Sequence, residues 1–181
     1  MQTIEKEFES YIQKKESITY NKENKKFDIK EHYYFYALEL YSRAISNDAK
    51  HDFSKLLLEL IKKEGLELLT WSKKAIELQN RVNFINENMN NDFPIFTNDV
   101  LLETLELWLE PYLQNITTVK ELEALDMYSI LVGIIPWEKQ QLLETLAPNS
   151  IKVPSGSNIK IDYSNPKNPI LAVKIQEMFG L

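Results

Sequence analysis

The spacing of apolar residues changes twice along this chain. In residues 17–20 and 27–45, Ile, Tyr and Phe are dense, and a polar NKENKK segment separates the two runs, which predicts an antiparallel strand pair or triplet. The middle places apolar side chains at helical spacing, and from Ser150 the period becomes two, which is typical of strands. We therefore predict an α+β fold: a helical middle of about four to five helices, a β remnant near the N-terminus and a small antiparallel β element at the C-terminus.

Capping and breaking residues indicate where the first helices begin and end. Asp52 can cap the first helix, and Gly65 is expected to end it in a left-handed conformation. A second helix should run from about Ser72 to about Asn88, and the polar segment after it is the best boundary within the chain. The apolar stripe of the second helix would comprise Ala75, Ile76, Leu78, Val82 and Ile85.

Similar signals organise the residues that follow. A third helix is expected near residues 98–110, and Pro111 would end or kink it. Thr118 and Glu121 match the capping box, in which the two side chains satisfy helix-end amides, so a fourth helix begins there. Pro136 suits the first turn of another helix. One side of the third helix would carry Leu101, Leu102, Leu105, Trp108 and Leu109.

Composition limits the classes of protein to consider. With 44% apolar and 27% charged residues in 181, the chain can form a hydrophobic core. The absence of cysteine excludes a disulfide framework and a thiol nucleophile, and it fits a cytoplasmic protein. The first ten residues lack the apolar stretch of a signal peptide, and no apolar run approaches the roughly 20 residues that cross a membrane. No membrane partner is expected.

The net charge of −6 is unevenly distributed. Residues 31–149 carry ten basic and nineteen acidic side chains, so this region would repel a phosphate backbone, although a solvated helical surface explains the same composition. Residues 150–181 carry four lysines and two acidic residues. The C-terminal segment is therefore locally basic.

Motifs for phosphate, metal or acid–base chemistry are missing from the sequence. No Walker A or dinucleotide-binding glycine pattern occurs, so the chain alone is not expected to hydrolyse ATP. His32 and His51 lack the spacing that turns two imidazoles toward one metal. Acidic pairs such as Glu103 and Glu106 are explained by solvated helix faces. We assign no catalytic, cofactor-binding or metal-binding residue.

Aromatic residues have a binding and a packing interpretation. In a strand, Tyr34 and Tyr36 would lie on one face, and Tyr33 and Phe35 on the other. One face could stack bases, whereas aromatic residues in strands also serve as core or cross-strand packing. The tryptophans at positions 71, 108 and 137 lie within apolar stripes, so we interpret them as packing anchors.

The C-terminal strands give the most specific signal for a binding surface. In SIKV, NIKIDY and ILAVKI the apolar residues alternate with polar ones, which places the three lysines on the face opposite the buried one. That face could contact phosphates, with donors from the intervening turn, or it could be an ordinary polar face with edge-protecting lysines. A tyrosine nearby could stack or simply pack. The candidate nucleic-acid-binding residues are Lys152, Lys160, Lys174, Ser155, Gly156, Ser157 and Tyr163.

Short segments in a fixed order carry a family resemblance. They are WLEPYL at 108–113, IPWE at 135–138, LAP at 146–148, VPSGS at 153–157, IDYS at 161–164 and LAVKIQEMFG at 171–180. This succession resembles the C-terminal domain of HrpB-type bacterial DEAH-box helicases. Upstream, LLTWS and RVNF are similar to the segment before that domain, although the family usually has Pro in place of Thr70. The resemblance covers about residues 56–181.

The resemblance implies an accessory region of an ATP-dependent RNA helicase, with residues 1–50 as the end of an OB-like β region, 51–90 as a helical linking segment and 91–181 as the HrpB-type C-terminal domain. It also implies that ATP and magnesium belong to motor domains lying N-terminal to this region. Partners would be those core domains and RNA. Because the family usually continues beyond the segment ending at position 180, we interpret the chain as a fragment. A protein-interaction module without RNA contact is the alternative.

Overall fold

The computed structural model describes residues 11–45, 52–89 and 92–179. Within these ranges the chain forms nine α-helices and two three-stranded antiparallel sheets, which confirms the predicted α+β class. Two compact units are present, one comprising Met1–Leu69 and Leu109–Leu125, the other Thr70–Trp108 and Asp126–Leu181. None of the described helices combines the length and apolar composition that crossing a bilayer requires.

The elements follow one another in this order. The strands are β1 (Ile12–Asn21), β2 (Lys26–Phe35), β3 (Leu38–Ala44), β4 (Ser150–Lys152), β5 (Asn158–Asp162) and β6 (Ile170–Leu171). The helices are α1 (Ser54–Glu64), α2 (Lys73–Asn88), α3 (Asn98–Glu103), α4 (Leu105–Trp108), α5 (Glu110–Leu113), α6 (Val119–Glu123), α7 (Met127–Ile134), α8 (Trp137–Leu146) and α9 (Ile175–Met178). A 3₁₀ turn, Leu66–Leu68, follows α1.

The sequence predicted a strand pair or triplet, and the N-terminal sheet is the triplet, in the order β1-β2-β3. β1 and β2 pair from Ile12 opposite Phe35 to Asn21 opposite Lys26, with the polar NKENKK segment at the hairpin. β1 begins before residues 17–20, the segment from which this strand was predicted. Phe27 and Ile29 are buried, so one face of β2 contributes to the core of the first unit.

Side-chain hydrogen bonds cap three of the nine described helices, α2, α6 and α7, and the predicted Asp52 lies one residue before the actual N-cap of α1, Phe53. Asp52 accepts hydrogen bonds from the Ser54 N–H at 2.9 Å and the Ser54 hydroxyl at 2.5 Å, which lowers the Asp52 pKa. The Ser72 hydroxyl accepts from the Ala75 N–H at 3.2 Å at the start of α2. Both halves of the predicted capping box at Thr118 and Glu121 are present.

Gly65 ends α1 in a different conformation from the predicted one. Its φ of 97° lies in the region that favours glycine, and its N–H donates to the Ile61 carbonyl at 2.8 Å. Its ψ of 172° is not that of a left-handed helical residue, so the chain leaves the helix in an extended direction.

The helix predicted near residues 98–110 is broken into α3, α4 and the start of α5. The Thr104 hydroxyl donates to the Val100 carbonyl at 2.6 Å, and this local hydrogen bond accompanies the end of α3. Pro111 lacks an N–H and its ring crowds the carbonyl four residues earlier, which ends α4. Apolar spacing alone does not report either interruption.

In the second unit, α2 packs against α7 and α8. Ala75, Leu78, Val82 and Ile85 are buried as predicted, whereas Ile76 is exposed and does not belong to the stripe. A buried arginine lies on the same side, at position 81.

The tryptophans do not behave alike. Trp108 is buried and its indole N–H donates to the Leu101 carbonyl at 2.9 Å, as expected of a packing anchor. Trp71 is partly buried. The packing interpretation is wrong for Trp137, which is 71% exposed at the first position of α8. The side of α8 that reaches the core carries the buried Leu143, and Trp137 lies about 120° away from it around the helix.

The C-terminal sheet is smaller than predicted. β4 and β5 match the first two expected strands, but β6 comprises only Ile170 and Leu171. Residues 175–178 form α9, in which Ile175 has helical spacing to Met178 and Phe179, so the alternation of ILAVKI ends before this helix. Ile151 and Ile175, expected on the buried face, are exposed.

Candidate functional site

Helix α2 is the scaffold of the candidate site. The Arg81 Nε donates to the Ala147 carbonyl at 2.6 Å, and its Nη2 donates to the Leu143 carbonyl at 3.3 Å and to Glu144 at 2.8 Å. Both carbonyls lie at the C-terminal end of α8, where that of Ala147 has no following helical amide and that of Leu143 also accepts from the Ala147 N–H at 3.0 Å. Arg81 therefore fixes the end of α8, from which the chain enters β4, next to α2.

Asparagine and glutamine side chains secure the segment after α2. Asn83 both donates to the Phe96 carbonyl and accepts from the Phe96 N–H, each at 3.2 Å. Gln79 donates to the same carbonyl at 2.6 Å, and Asn86 donates to the Pro94 carbonyl at 2.9 Å. These hydrogen bonds anchor α2 to the segment that follows it. Lys73 and Lys74 in its first turn therefore project from an anchored helix.

The β4–β5 hairpin brings two of the three predicted lysines to one face. Lys152 lies opposite Asn158, and Lys160 lies opposite Ser150. Opposed residues in an antiparallel pair share a face, and alternate positions repeat it. Lys160 forms an ion pair with Glu77 of α2, whereas the exposed Lys152 has no ion pair among the described residues.

Lys174 is not on this sheet. It occupies the N-cap position of α9, beyond the end of β6. The Ser155 N–H donates to the Glu177 carbonyl at 3.1 Å, so α9 is attached to the turn that joins β4 and β5. Lys174 thus lies at the start of a helix that is hydrogen-bonded to the predicted turn. The strand alternation did not predict this position.

The backbone amides of the Ser155-Gly156-Ser157 turn already have partners within the protein. The Gly156 N–H donates to the Val153 carbonyl at 2.8 Å, and the Ser157 N–H donates to the Ser155 hydroxyl at 3.4 Å. Gly156 has a φ of 90°, which this tight turn requires. The Ser155 hydroxyl donates to the Ser157 hydroxyl at 3.3 Å, so the Ser157 hydroxyl is the donor that this turn can offer to a ligand.

Tyr163 packs instead of presenting its ring to solvent. It is 6% exposed, its hydroxyl donates to the Pro148 carbonyl at 2.9 Å, and its ring centroid lies 5.0 Å from that of Phe84. Burial raises the pKa of its phenol. Of the two interpretations of this tyrosine, the geometry supports packing.

A polar groove between α2 and β5 was not anticipated from the sequence. It contains a cavity of about 280 Å³ and a neighbouring one of about 400 Å³. Lys73 and Asn80 line the first, and Lys74 and Tyr128 line the second. Lys73 and Lys74 are exposed and have no ion pair in the described parts of the chain. The adjacent pair of lysines just after the LLTWS segment is the sequence signal that could have found this surface.

The aromatic run in β2 separates differently from the strand prediction. Tyr33 stacks on Tyr41 with ring centroids 4.6 Å apart, and Lys15 lies 5.5 Å from the Tyr34 ring on the other face. Tyr36 has left the strand, with a φ of 53° in the turn before β3. Tyr34 and Tyr36 therefore do not form one strand face. His51 lies outside the described residues.

Comparison with known proteins identifies the C-terminal part. Residues 108–181 match the HrpB C-terminal family, described as ATP-dependent helicase C-terminal. The chain is 33% identical over 137 residues to the ATP-dependent RNA helicase HrpB of Escherichia coli (strain K12). Residues 108–181 belong to the HrpB-type helicase C-terminal family. The match covers 75% of this chain and 17% of HrpB.

Solved structures extend the similarity to the fold. A crystal structure of the E. coli DExH-box NTPase HrpB matches with a TM-score of 0.75 and 25% identity, covering 98% of this chain and 22% of that one. A second, of the Escherichia coli DEAH/RHA helicase HrpB, has a TM-score of 0.75 and 27% identity, covering 94% and 22%. The chain thus spans less than a quarter of the HrpB proteins it matches, and the predicted resemblance is confirmed.

Proposed function

We propose that this chain is an accessory C-terminal part of an ATP-dependent DEAH-box RNA helicase. It docks on the helicase core domains and contacts the RNA backbone without reading base sequence. ATP and magnesium bind in the motor domains, and this chain is non-catalytic by itself. We place the helicase in the cytoplasm, in keeping with a sequence that lacks cysteine.

One observation carries the RNA contact. Lys152 and Lys160 share a face of the β4–β5 hairpin, and Lys73 and Lys74 lie on the helix beside it. Lysine ammonium groups on one surface neutralise phosphates and release counterions, which gives affinity without sequence selectivity. The similar E. coli protein is an ATP-dependent RNA helicase, which supports RNA as the nucleic acid that this chain contacts.

A titration of labelled single-stranded and duplex RNA into this chain at two salt concentrations tests the proposal. Replacing Lys152, Lys160 and Lys174 with Ala should weaken binding at least tenfold at low salt. It should also flatten the slope of log affinity against log salt by about 2, since each phosphate contact on a single strand contributes about 0.7.

A matched control separates a site from bulk charge. Lys55, Lys63 and Lys120 are exposed lysines of the other compact unit, and their triple Ala variant changes the net charge equally. The control should lose little affinity. Equal losses in the two triple variants would overturn a C-terminal RNA contact.

An interaction module without RNA contact is the second candidate, and exposed apolar side chains favour it. Leu107, Trp137, Ile175 and Phe179 are all more than two-thirds exposed in the second unit. Of these, Ile175 and Phe179 are spaced i, i+4 at α9 and can form one exposed apolar patch, the kind of surface that marks a partner site in many proteins. Partner capture that survives nuclease treatment and is lost in Trp137→Ala, with RNA affinity unchanged in the lysine variant, would favour this function.

A further inference from the structure

The ion pair between Lys160 and Glu77 lies where two cavities meet. The two residues are distant in sequence, and their side chains join β5 to α2. Both cavities are lined by Glu77, Arg81, Asn149 and Lys160, so the Lys160–Glu77 ion pair lies at their common boundary. It is therefore placed to control how a ligand occupies the groove.

The helix presents a regular set of polar groups to this groove. The first cavity is lined by Lys73, Glu77 and Asn80, which are spaced i, i+4, i+7 and so lie on one side of α2. The second cavity is lined by Lys74 and Arg81, which are spaced i, i+7. Together the cavities reach the size of a small-molecule site, for which about 300 Å³ is the lower end.

The lining chemistry suits a nucleic-acid backbone. In the second cavity two ammonium groups, those of Lys74 and Lys160, accompany the Glu77 carboxylate, because the Arg81 guanidinium is already paired with Glu144. Asn149 and Asn158 can both donate and accept hydrogen bonds, as ribose hydroxyls and base edges require. Tyr128 lines the same cavity and is 39% exposed, so part of its ring is accessible for a base to stack on.

Resting on the proposed function, we propose that this groove binds a short stretch of single-stranded RNA, and that Glu77 holds Lys160 in the RNA-free protein as an internal substitute for a phosphate. On binding, a phosphate replaces the Glu77 carboxylate at Lys160. The displaced carboxylate then lies close to the incoming phosphate, so Glu77 lowers RNA affinity. The ion pair is an autoinhibitory contact within the binding site.

Fluorescence anisotropy with a short fluorescein-labelled oligouridylate tests this inference on the full 181-residue chain. Glu77→Gln keeps the size of the side chain and removes the competing charge, so it should raise affinity about fivefold at low salt. Adding Lys160→Ala to Glu77→Gln should return the affinity to the wild-type value or below. Tyr128→Ala should lower affinity at least fivefold, since aromatic stacking supports each bound base.

Glu103→Gln is the matched control, because Glu103 is an exposed acid of the same unit and changes the net charge equally. It should change affinity less than twofold. Equal gains from Glu77→Gln and Glu103→Gln would overturn the inference. If the triple lysine variant still loses RNA binding in that case, the proposed function stands alone, whereas wild-type protein that binds no RNA overturns both.

Discussion

Glu31 shows how one buried carboxylate joins three strands. Its side chain accepts a hydrogen bond from the Tyr33 hydroxyl at 2.9 Å, and it pairs with Arg43 of β3 at 2.6 Å and with Lys14 of β1. The hydrogen bond from Lys14 is the main cause that lowers the Glu31 pKa to about 2, against the opposing effect of burial. The ionised form is therefore the one that the fold stabilises.

This carboxylate predicts acid sensitivity in a defined window. Because the folded pKa lies below the ordinary value of 4.5, the stabilisation is fully present above pH 4.5 and is lost as the pH falls toward about 2. Glu31→Gln should lower the melting temperature at neutral pH, and its difference from wild type should shrink across that window. Thermal denaturation followed by circular dichroism between pH 2 and 7 measures this.

Glu16→Gln provides the comparison for Glu31. Glu16 contacts the same Lys14 at 3.2 Å but is exposed, so its removal should cost about 0.5 kcal/mol or less. A difference between Glu31→Gln and wild type that stays constant from neutral pH to pH 2 would contradict the assignment of the acid response to Glu31.

Single residues also show how far the candidate site was predictable. Alternation in β4 and β5 correctly placed Lys152 and Lys160 on one face, because strand geometry fixes that relation locally. The pairing of Lys160 with Glu77 depends on how distant segments pack, and no local pattern encodes it. Arg81 belongs to a segment that carried the family resemblance, but its capping of α8 is likewise a long-range contact.

At the scale of elements, the helix that begins at Thr118 has a measurable cap. The Glu121 N–H donates to the Thr118 hydroxyl at 3.3 Å, and Glu121 accepts from the Thr118 N–H at 2.9 Å. Thr118→Ala removes the hydroxyl, so it should reduce the free energy of unfolding by about 1 kcal/mol. Urea denaturation monitored by tryptophan fluorescence measures the change.

Thr97 offers an internal standard for that helix start. It is exposed at the N-cap of α3 and makes no side-chain capping hydrogen bond. Thr97→Ala should therefore change the free energy of unfolding by less than about 0.5 kcal/mol. Equal losses at the two threonines would show that the capping box does not stabilise α6.

Elements were predictable where local chemistry decides them. Capping residues and helical apolar periods predicted α1, α2 and α6, and runs dense in Ile, Tyr and Phe predicted the N-terminal sheet. Each of these signals depends on residues that are close in sequence. The region of residues 98–113 failed because Thr104 and Pro111 interrupt a continuous apolar period. The last strand failed because Ile175, which continues the alternation of Leu171 and Val173, also has helical spacing to Met178 and Phe179.

At the scale of the whole molecule, the compact units and the proposed domains follow different boundaries. We retain residues 1–50, 51–90 and 91–181 as proposed evolutionary segments. The second compact unit, however, begins at Thr70 and includes α2, while Leu109–Leu125 belongs with the first unit. A segment defined by family resemblance and a segment that buries its own core need not coincide.

This difference predicts that residues 91–181 do not fold alone. Without α2, the partner surfaces of α7 and α8 lose Ala75, Leu78, Val82 and Ile85, and the end of α8 loses Arg81. The loss of Leu78, Val82 and Ile85 removes about 1.5–3 kcal/mol for each side chain, and the three together are comparable with the whole stability of a small domain. Circular dichroism melting should show no cooperative transition for 91–181, while 70–181, which restores α2, should melt cooperatively. Both fragments contain residues 109–125 but lack residues 1–69, the rest of that compact unit, so this segment affects the two fragments equally. Identical melting of the two fragments would show that α2 is dispensable for the C-terminal fold.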